Sequence, residues 1–341
     1  MKHLGVLTGG GDCPGLNAVI RGVVLRAAKE GRRVVGFRRG WQGLLKDGQT
    51  TMLDLGDVEE IHALGGTIIG TSRVNPLEVE GGPDQVRQNL ARHDCDSLVV
   101  IGGEKTLGAA LELARQGLPV VGIPKTLDNN VAATDYTFGF LTGVNTTTDA
   151  IDRLVTTAKS HGRVLVVEVM GRNSGWLALY AGLGGGAHQV LIPERPFDVG
   201  DVCDKVKQRH ERGAEFSVIV VSEGARPADP ASLPETRPPT GDGSEDGIAR
   251  LLAQAIANRT GLETRSVALG PLQRGGSPTG FDRVLGLRLG YRAADLAIAG
   301  RFGMMTSLRG TAVVDVPLEE ALKRPKTVDD EFFQAVSEVF G

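Results

Sequence analysis

The strongest constraint on this chain is a repeated arrangement in its first 130 residues, in which a short apolar run ends in glycine or proline and gives way to polar residues. It occurs where Leu4-Gly5-Val6-Leu7-Thr8 meets Gly9-Gly10-Gly11-Asp12-Cys13-Pro14-Gly15-Leu16-Asn17. It recurs where Ser97-Leu98-Val99-Val100-Ile101 meets Gly102-Gly103-Glu104-Lys105-Thr106, and where Val120-Val121-Gly122-Ile123 meets Pro124-Lys125-Thr126-Leu127-Asp128-Asn129-Asn130. Continuous apolar runs of this length fit strands covered on both faces, which belong to parallel sheets flanked by helices. The first turn predicts a helix from Ala18 with Asp12 as its cap, and the second a helix from Leu107. In an open parallel sheet the turns after the strands gather at one edge, where the free N–H groups of a glycine turn and a helix start hold phosphate. Phosphoryl transfer is the chemistry these turns point to, with Asp128 as the group that takes the moving proton. The pattern is neither the Walker sequence, which ends in Gly-Lys-Ser/Thr, nor the Gly-x-Gly-x-x-Gly dinucleotide fingerprint.

A second cycle of strand-like runs follows at Arg163–Val169, Gln189–Pro193 and Phe216–Val221. The chain of 341 residues, 41% of them apolar, has material for two domain-sized cores. The expected fold class is therefore α/β, with two similar three-layer domains built on largely parallel sheets. Residues 226–246, rich in Pro, Asp, Ser, Thr and Gly and without apolar period, read as an exposed loop.

A net charge of −3 and an aromatic content of 4% argue against a general nucleic-acid surface, so ligand charge must be met locally by arginines near turns and helix starts. Cys13, Cys95 and Cys203 are odd in number and share no metal-ligand spacing, and no run is long enough to span a membrane. The expectation is a reduced, soluble, cytoplasmic protein.

Five ordered segments carry a resemblance: the first and second glycine turns, Pro124–Asn130, Glu168-Val169-Met170-Gly171-Arg172 and Gln273-Arg274-Gly275-Gly276-Ser277-Pro278. From Leu4 to about Pro317 the chain resembles the 6-phosphofructokinase family, and Pro-Lys-Thr with Gly-Gly-Glu is similar to its mixed-substrate branch, which uses ATP or pyrophosphate. The resemblance implies a glycolytic, Mg²⁺-dependent transfer of phosphate to the 1-hydroxyl of fructose 6-phosphate. It implies a donor domain of 1–139 and 273–323, a sugar-phosphate domain of 140–272 and 324–341, and a site in the cleft between them.

Residue by residue, the resemblance makes Asp128 the base and Arg172 the group that offsets transition-state charge. Glu104 becomes the carboxylate on Mg²⁺, and Gly11, Arg73, Lys105, Thr106 and Lys125 the donor side. Thr126, Met170, Gly171 and Glu223 surround the sugar. Arg163, Arg265 and Arg274 grip its distal phosphate, and the Arg163 and Arg265 positions come from a neighbouring subunit, so a homodimer or homotetramer is implied.

Three residues depart from the family pattern. Asn130 stands where a second Asp is usual, and Pro271 where a histidine contacts the sugar's phosphate. Lys105 occupies a site that tends to be Gly in ATP users and Asp in pyrophosphate users, while Lys125 matches pyrophosphate and mixed-branch members. A side chain at 105 crowds a nucleotide's α-phosphate and ribose, which leans the reading toward pyrophosphate. Two alternatives follow from the departures: another ketose phosphate such as sedoheptulose 7-phosphate, and a catalytically silent sugar-phosphate-binding subunit. Leu25, Asp54, Val155 and Ala214 replace the basic residues of the family's effector pocket, leaving Arg21, so regulation by nucleoside diphosphate or phosphoenolpyruvate is not expected.

Overall fold

A computed structural model describes residues 2–46, 48–234 and 247–340. It divides into two compact units, 1–142 with 274–326 and 143–273 with 327–341. The strands are β1 (His3–Thr8), β2 (Val34–Phe37), β3 (Thr50–Leu53), β4 (Cys95–Gly102), β5 (Val120–Pro124), β6 (Val164–Val169), β7 (Gln189–Leu191), β8 (Ser217–Ser222), β9 (Thr264–Ala268), β10 (Met304–Arg309) and β11 (Ala312–Pro317). The helices are α1 (Leu16–Lys29), α2 (Gly82–Arg92), α3 (Glu104–Arg115), α4 (Phe140–His161), α5 (Trp176–Gly184), α6 (Val199–Glu211), α7 (Ile248–Thr260), α8 (Gly280–Ile298), α9 (Leu318–Leu322) and α10 (Asp330–Ser337).

The first unit holds a seven-stranded sheet in the order β11-β10-β5-β4-β1-β2-β3. Its inner neighbours run parallel, and β3 and β11 close the two edges antiparallel to β2 and β10. Leu4, Val6, Leu98, Val99, Val100 and Ile101 are fully buried, as strands covered on both faces must be. Because β1, β4 and β5 are parallel neighbours, the three turns that follow them leave the same edge of one sheet. This is the step that brings residues distant in sequence to one place. The second unit has a four-stranded parallel sheet, β7-β8-β6-β9, with Val166, Ile219, Val221, Leu252 and Ile256 in its core.

Two local expectations are corrected. Helix α3 begins at Glu104 rather than Leu107, its first turn closed by Leu107 N donating to Gly103 O at 2.9 Å. That turn is polar, so apolar periodicity alone does not reveal it. Asp12 does not cap α1: the helix starts at Leu16 behind Gly15, which is left-handed at φ 101° and makes no side-chain cap bond. Pro14 and Gly15 place Asp12 too far ahead of the first turn, where a cap must immediately precede it. Of the exposed loop expected at 226–246, residues 226–234 are described and mostly exposed, with one short 3₁₀ turn, Pro230–Ser232, and 235–246 lie outside the described residues. Among the described residues no helix is long and apolar enough to cross a membrane.

Candidate active site

In the first unit four separate segments meet at the turn after β1. Gly10 has φ 81°, and a Cβ there would lie 3.4 Å from Thr106 Oγ1 and 3.5 Å from Lys125 Nζ. A Cβ on Gly11 would stand 2.8 Å from Arg274 Cζ. Gly10 is glycine for its left-handed backbone and Gly9 for Thr106, whose Cγ2 would stand 2.6 Å from a Cβ there, while the Lys125 and Arg274 side chains line the same turn. Lys125 Nζ donates to Gly11 O, and Arg274 Nη1 donates to Asp12 O at 2.9 Å. A fourth strand of contact comes from residues 70–73: Gly10 N donates to Ser72 O at 2.8 Å and Thr71 Oγ1 to Gly10 O at 2.6 Å. Arg73 follows directly and is exposed.

Lys125 is buried, whereas Lys105 and Glu104 are exposed at the first turn of α3. Burial pushes the Lys125 ammonium below the usual lysine range, and the nearby Arg274 guanidinium adds to that. The N–H groups of Gly9 and Gly10 are taken by Ile101 O and Ser72 O, so positive charge for an anion at this turn comes from the Lys125 and Arg274 side chains rather than from those backbone donors. Cys13, buried in the same turn, has its thiol pushed up to about 12, chiefly by burial, and is a protonated, unreactive side chain.

The segment after β5 turns sharply. Asp128 N donates to Thr126 Oγ1 at 3.0 Å, and Thr137 Oγ1 to Thr126 O at 2.7 Å. Asn129 is left-handed at φ 48°, its Oδ1 accepting from Thr137 N at 3.0 Å. Asp128 therefore sits at the crest of a braced loop, half-buried. Asn130 Oδ1 is buried without a hydrogen-bond partner among the described residues.

In the second unit, β6 and β8 present Met170-Gly171-Arg172 and Glu223. Gly171 has φ 132°, and a Cβ there would meet Ser174 O and Ser222 Oγ, each at 2.5 Å. Glu223 N donates to Val169 O at 2.8 Å, and Arg172 Nε lies 3.4 Å from Glu223 Oε1. Arg163 and Arg265 share one carboxylate: Arg163 Nε is 2.9 Å and Arg265 Nη2 3.0 Å from Glu263 Oε1. Arg163 first, then Arg265, holds the Glu263 carboxyl below its usual range.

The structure thus brings Gly11, Thr106, Lys125 and Arg274 together, pairs Arg172 with Glu223, and joins Arg163 to Arg265. Sequence reasoning missed Gln273. Its buried Oε1 accepts from Met170 N at 3.1 Å and so fixes the Met170–Arg172 turn. Its place beside Arg274 in a quoted segment was the available signal. Arg21, the basic residue retained at the effector-pocket positions, is engaged within the first unit. It is half-buried and donates from Nη1 to Val58 O at 2.8 Å and to Glu59 O, while Asp54 closes its own turn through Gly56 N at 2.9 Å.

Residues 3–297 match the family model described as Phosphofructokinase. The chain is 52% identical over 342 residues to a pyrophosphate–fructose 6-phosphate 1-phosphotransferase of Amycolatopsis methanolica, covering 99% of this chain and 100% of that protein. It is 50% identical over 331 residues to ATP-dependent 6-phosphofructokinase 3 of Streptomyces coelicolor, covering 96% of this chain and 97% of that one. Among solved structures, phosphofructokinase from Saccharomyces cerevisiae superposes with a TM-score of 0.82 at 30% identity, over 95% of this chain and 45% of the yeast chain. Matched over residues 3–297 by a family model and along nearly its whole length by curated relatives at half identity, the chain belongs to the phosphofructokinase family.

Proposed function

We propose that this protein transfers a phosphoryl group from pyrophosphate or ATP to the 1-hydroxyl of fructose 6-phosphate, giving fructose 1,6-bisphosphate. The observation that carries the reading is the convergence of Gly10, Gly11, Thr106, Lys125 and Arg274 on one turn, in a chain half identical to relatives named for this reaction. The first unit carries the donor side together with Thr126, Asp128 and Arg274, and the second the remaining sugar-phosphate residues.

In the reaction the 1-hydroxyl oxygen forms a bond to the terminal phosphorus, the bond from that phosphorus to the donor's bridging oxygen breaks, and the hydroxyl proton passes to the Asp128 carboxylate. The glycine turn, Thr106, Lys125 and Arg73 hold the donor phosphates. Arg172 offsets growing negative charge with a planar fork that matches phosphoryl oxygens. Arg172 is mostly exposed and paired only loosely with Glu223, so it is available to a ligand. Thr126, Met170, Gly171 and Glu223 shape the sugar pocket, and Arg163, Arg265 and Arg274 grip the distal phosphate. Arg163 and Arg265 serve a neighbouring subunit in a homo-oligomer.

Mg²⁺ keeps several waters and takes few protein ligands. That mode fits the exposed Glu104 carboxylate and the fact that, among the described residues, no three His, Cys, Asp or Glu gather into a metal cage. When bound, the ion neutralises charge on the donor phosphates. A cytoplasmic, reducing setting suits three buried free cysteines.

Relatives named for pyrophosphate and for ATP match at nearly the same identity, so overall similarity does not choose the donor. The buried ammonium of Lys125 inside the glycine turn favours the compact one. The test is a coupled assay of purified protein with fructose 6-phosphate and each donor in turn, repeated with sedoheptulose 7-phosphate. Turnover of fructose 6-phosphate with either donor is expected. Ligand-induced stabilisation without turnover, for every pair, overturns the enzymatic reading.

A further inference from the structure

We propose that Lys326 is a positioning residue for the reaction, holding the loop that carries Asp128 from both of its sides. The inference rests on Asp128 being the base. Lys326 is distant in sequence and belongs to none of the glycine turns, yet three of its bonds fall on one loop. Its backbone N donates to Asn130 O at 2.9 Å, and its Nζ donates to Thr134 O at 3.1 Å and to Asp135 O. The ammonium also lies 5.9 Å from the centre of the Tyr136 ring.

These contacts matter because the loop is not a relaxed one. Asn129 and Ala133 both have left-handed backbones, φ 48° and 60°, without being glycine. Such residues persist only where their surroundings over-determine them. One part of the surroundings is β10: Ser307 Oγ donates to Ala133 O, Leu308 N to Thr134 Oγ1 at 3.0 Å, and Asp135 N to Leu308 O at 2.9 Å. Those bonds fix residues 133–135, and Thr126 and Thr137 brace 126–129 from within, which leaves Asn130 to be held. Lys326 supplies that hold on Asn130 O through its backbone N, a bond that substitution of the side chain leaves in place. It holds the loop a second time through Asp135 O, which also accepts from Asn129 Nδ2 at 3.4 Å. Asp128 is therefore flanked by a residue that shares an acceptor with Lys326, and the next residue is bonded to its backbone.

The positive charge of this clamp is what pH can remove, since the neutral amine keeps two N–H donors but loses charge-assisted bonding and the attraction of the Tyr136 ring. Burial pushes Lys326 down to about 8, against the opposing pull of Asp135. Asp135 is the charged group facing it, its Oδ2 engaged by Gly310 N at 2.6 Å, and Tyr136 presents its ring. The sign differs for activity and stability. Activity that needs the ammonium falls as pH rises through about 8. Stability moves the other way: the folded value lies below the ordinary lysine value of 10.5, so between the two the unfolded chain binds more protons and this group's contribution rises with pH. A residue with a merely structural role gives no loss of turnover in that window.

The experiment compares wild type, Lys326→Met, Lys326→Arg and Asp128→Asn by steady-state kinetics from pH 6.5 to 9.5, roughly the window around a group near 8, with thermal melting alongside. Lys326→Met is expected to lower kcat by about tenfold to a hundredfold, with KM for donor and acceptor changed by less than about threefold, as misplacing a reacting group does. Lys326→Arg, which keeps its charge, is expected to lose the alkaline fall that wild type shows. The proposal is overturned if Lys326→Met keeps kcat within about twofold of wild type, or if its loss lies wholly in KM. If Lys326→Met does not fold, the decision passes to Lys326→Arg, and an alkaline limb in the wild-type place overturns it. Asp128→Asn keeps the two readings separate. A near-normal Asp128→Asn removes the base assignment, whereas a dead Asp128→Asn beside a normal Lys326→Met removes the Lys326 proposal alone.

Discussion

Asp128 and Lys125 lie only three residues apart, and the fold gives them opposite settings: one half-buried on a turn's crest, the other buried beneath the glycine turn. As base, Asp128 must accept a proton, which an amide of the same volume cannot do. Asp128→Asn is expected to lower kcat by about 10²- to 10⁴-fold while leaving sugar-phosphate binding nearly intact, read by steady-state kinetics and calorimetric titration. The two lysines divide the donor question. Lys105→Gly is expected to shift kcat/KM toward ATP by opening space beside the α-phosphate, a single steric contact being worth about 1–3 kcal/mol. The ratio of kcat/KM for ATP and pyrophosphate at one Mg²⁺ concentration checks it. An unchanged ratio for Lys105→Gly leaves buried Lys125 as the residue that sets the donor.

Among the elements, the start of α4 is the one most dependent on a distant side chain. Asp282, on the first turn of α8 and fully buried, accepts from Gly139 N at 2.9 Å, from Thr142 N at 2.8 Å and from Thr142 Oγ1 at 2.5 Å. It serves as an N-terminal acceptor for α4 supplied by another helix. Burial raises its pKa above the usual aspartate value, opposed by those same donors. The charged form is disfavoured by burial, so this group's contribution to stability decreases as pH climbs from the unfolded aspartate value through the folded one. Asp282→Ala strands two buried backbone donors and is expected to cost about 1–3 kcal/mol for each. The measurement is the shift of the urea midpoint at constant m. An unchanged midpoint would show that water replaces the carboxylate without loss. A similar dependence on tertiary neighbours explains Gly171: Gly171→Ala is expected to raise KM for fructose 6-phosphate, because Ser174 and Ser222 must move to admit the methyl group.

For the whole molecule, the test concerns subunits. Arg163 and Arg265 are held together by Glu263 on an exposed carboxylate, so a competing phosphate meets little resistance from that pairing. If they serve a neighbouring subunit, mixing Arg265→Ala with Asp128→Asn restores part of the activity that each lacks alone, since a mixed oligomer contains a site with both residues intact. Mixed oligomers that form and stay inactive refute the shared arrangement.

Much of this was legible in the sequence because the governing signals are local. Apolar runs of β-branched residues ending in glycine report parallel strands through their length and two-sided burial, and β1, β4 and β5 lie where those runs lie. Polar first turns are silent in such a pattern, which hides the start of α3 by three residues, while the Pro14-Gly15 step that separates Asp12 from α1 is a matter of backbone path that residue type does not report. Residue types at the site were also legible, since a glycine turn, a lysine and an arginine carry their chemistry with them. Their partners were not. That Arg274 donates to Asp12 O, that Gln273 holds the Met170 turn and that Lys326 grips the Asp128 loop at Asn130 are contacts across 262, 103 and 196 residues respectively. No local propensity encodes such pairs. They exist because parallel pairing lines up the ends of non-adjacent strands and because buried polar groups must find partners wherever the packed chain offers them.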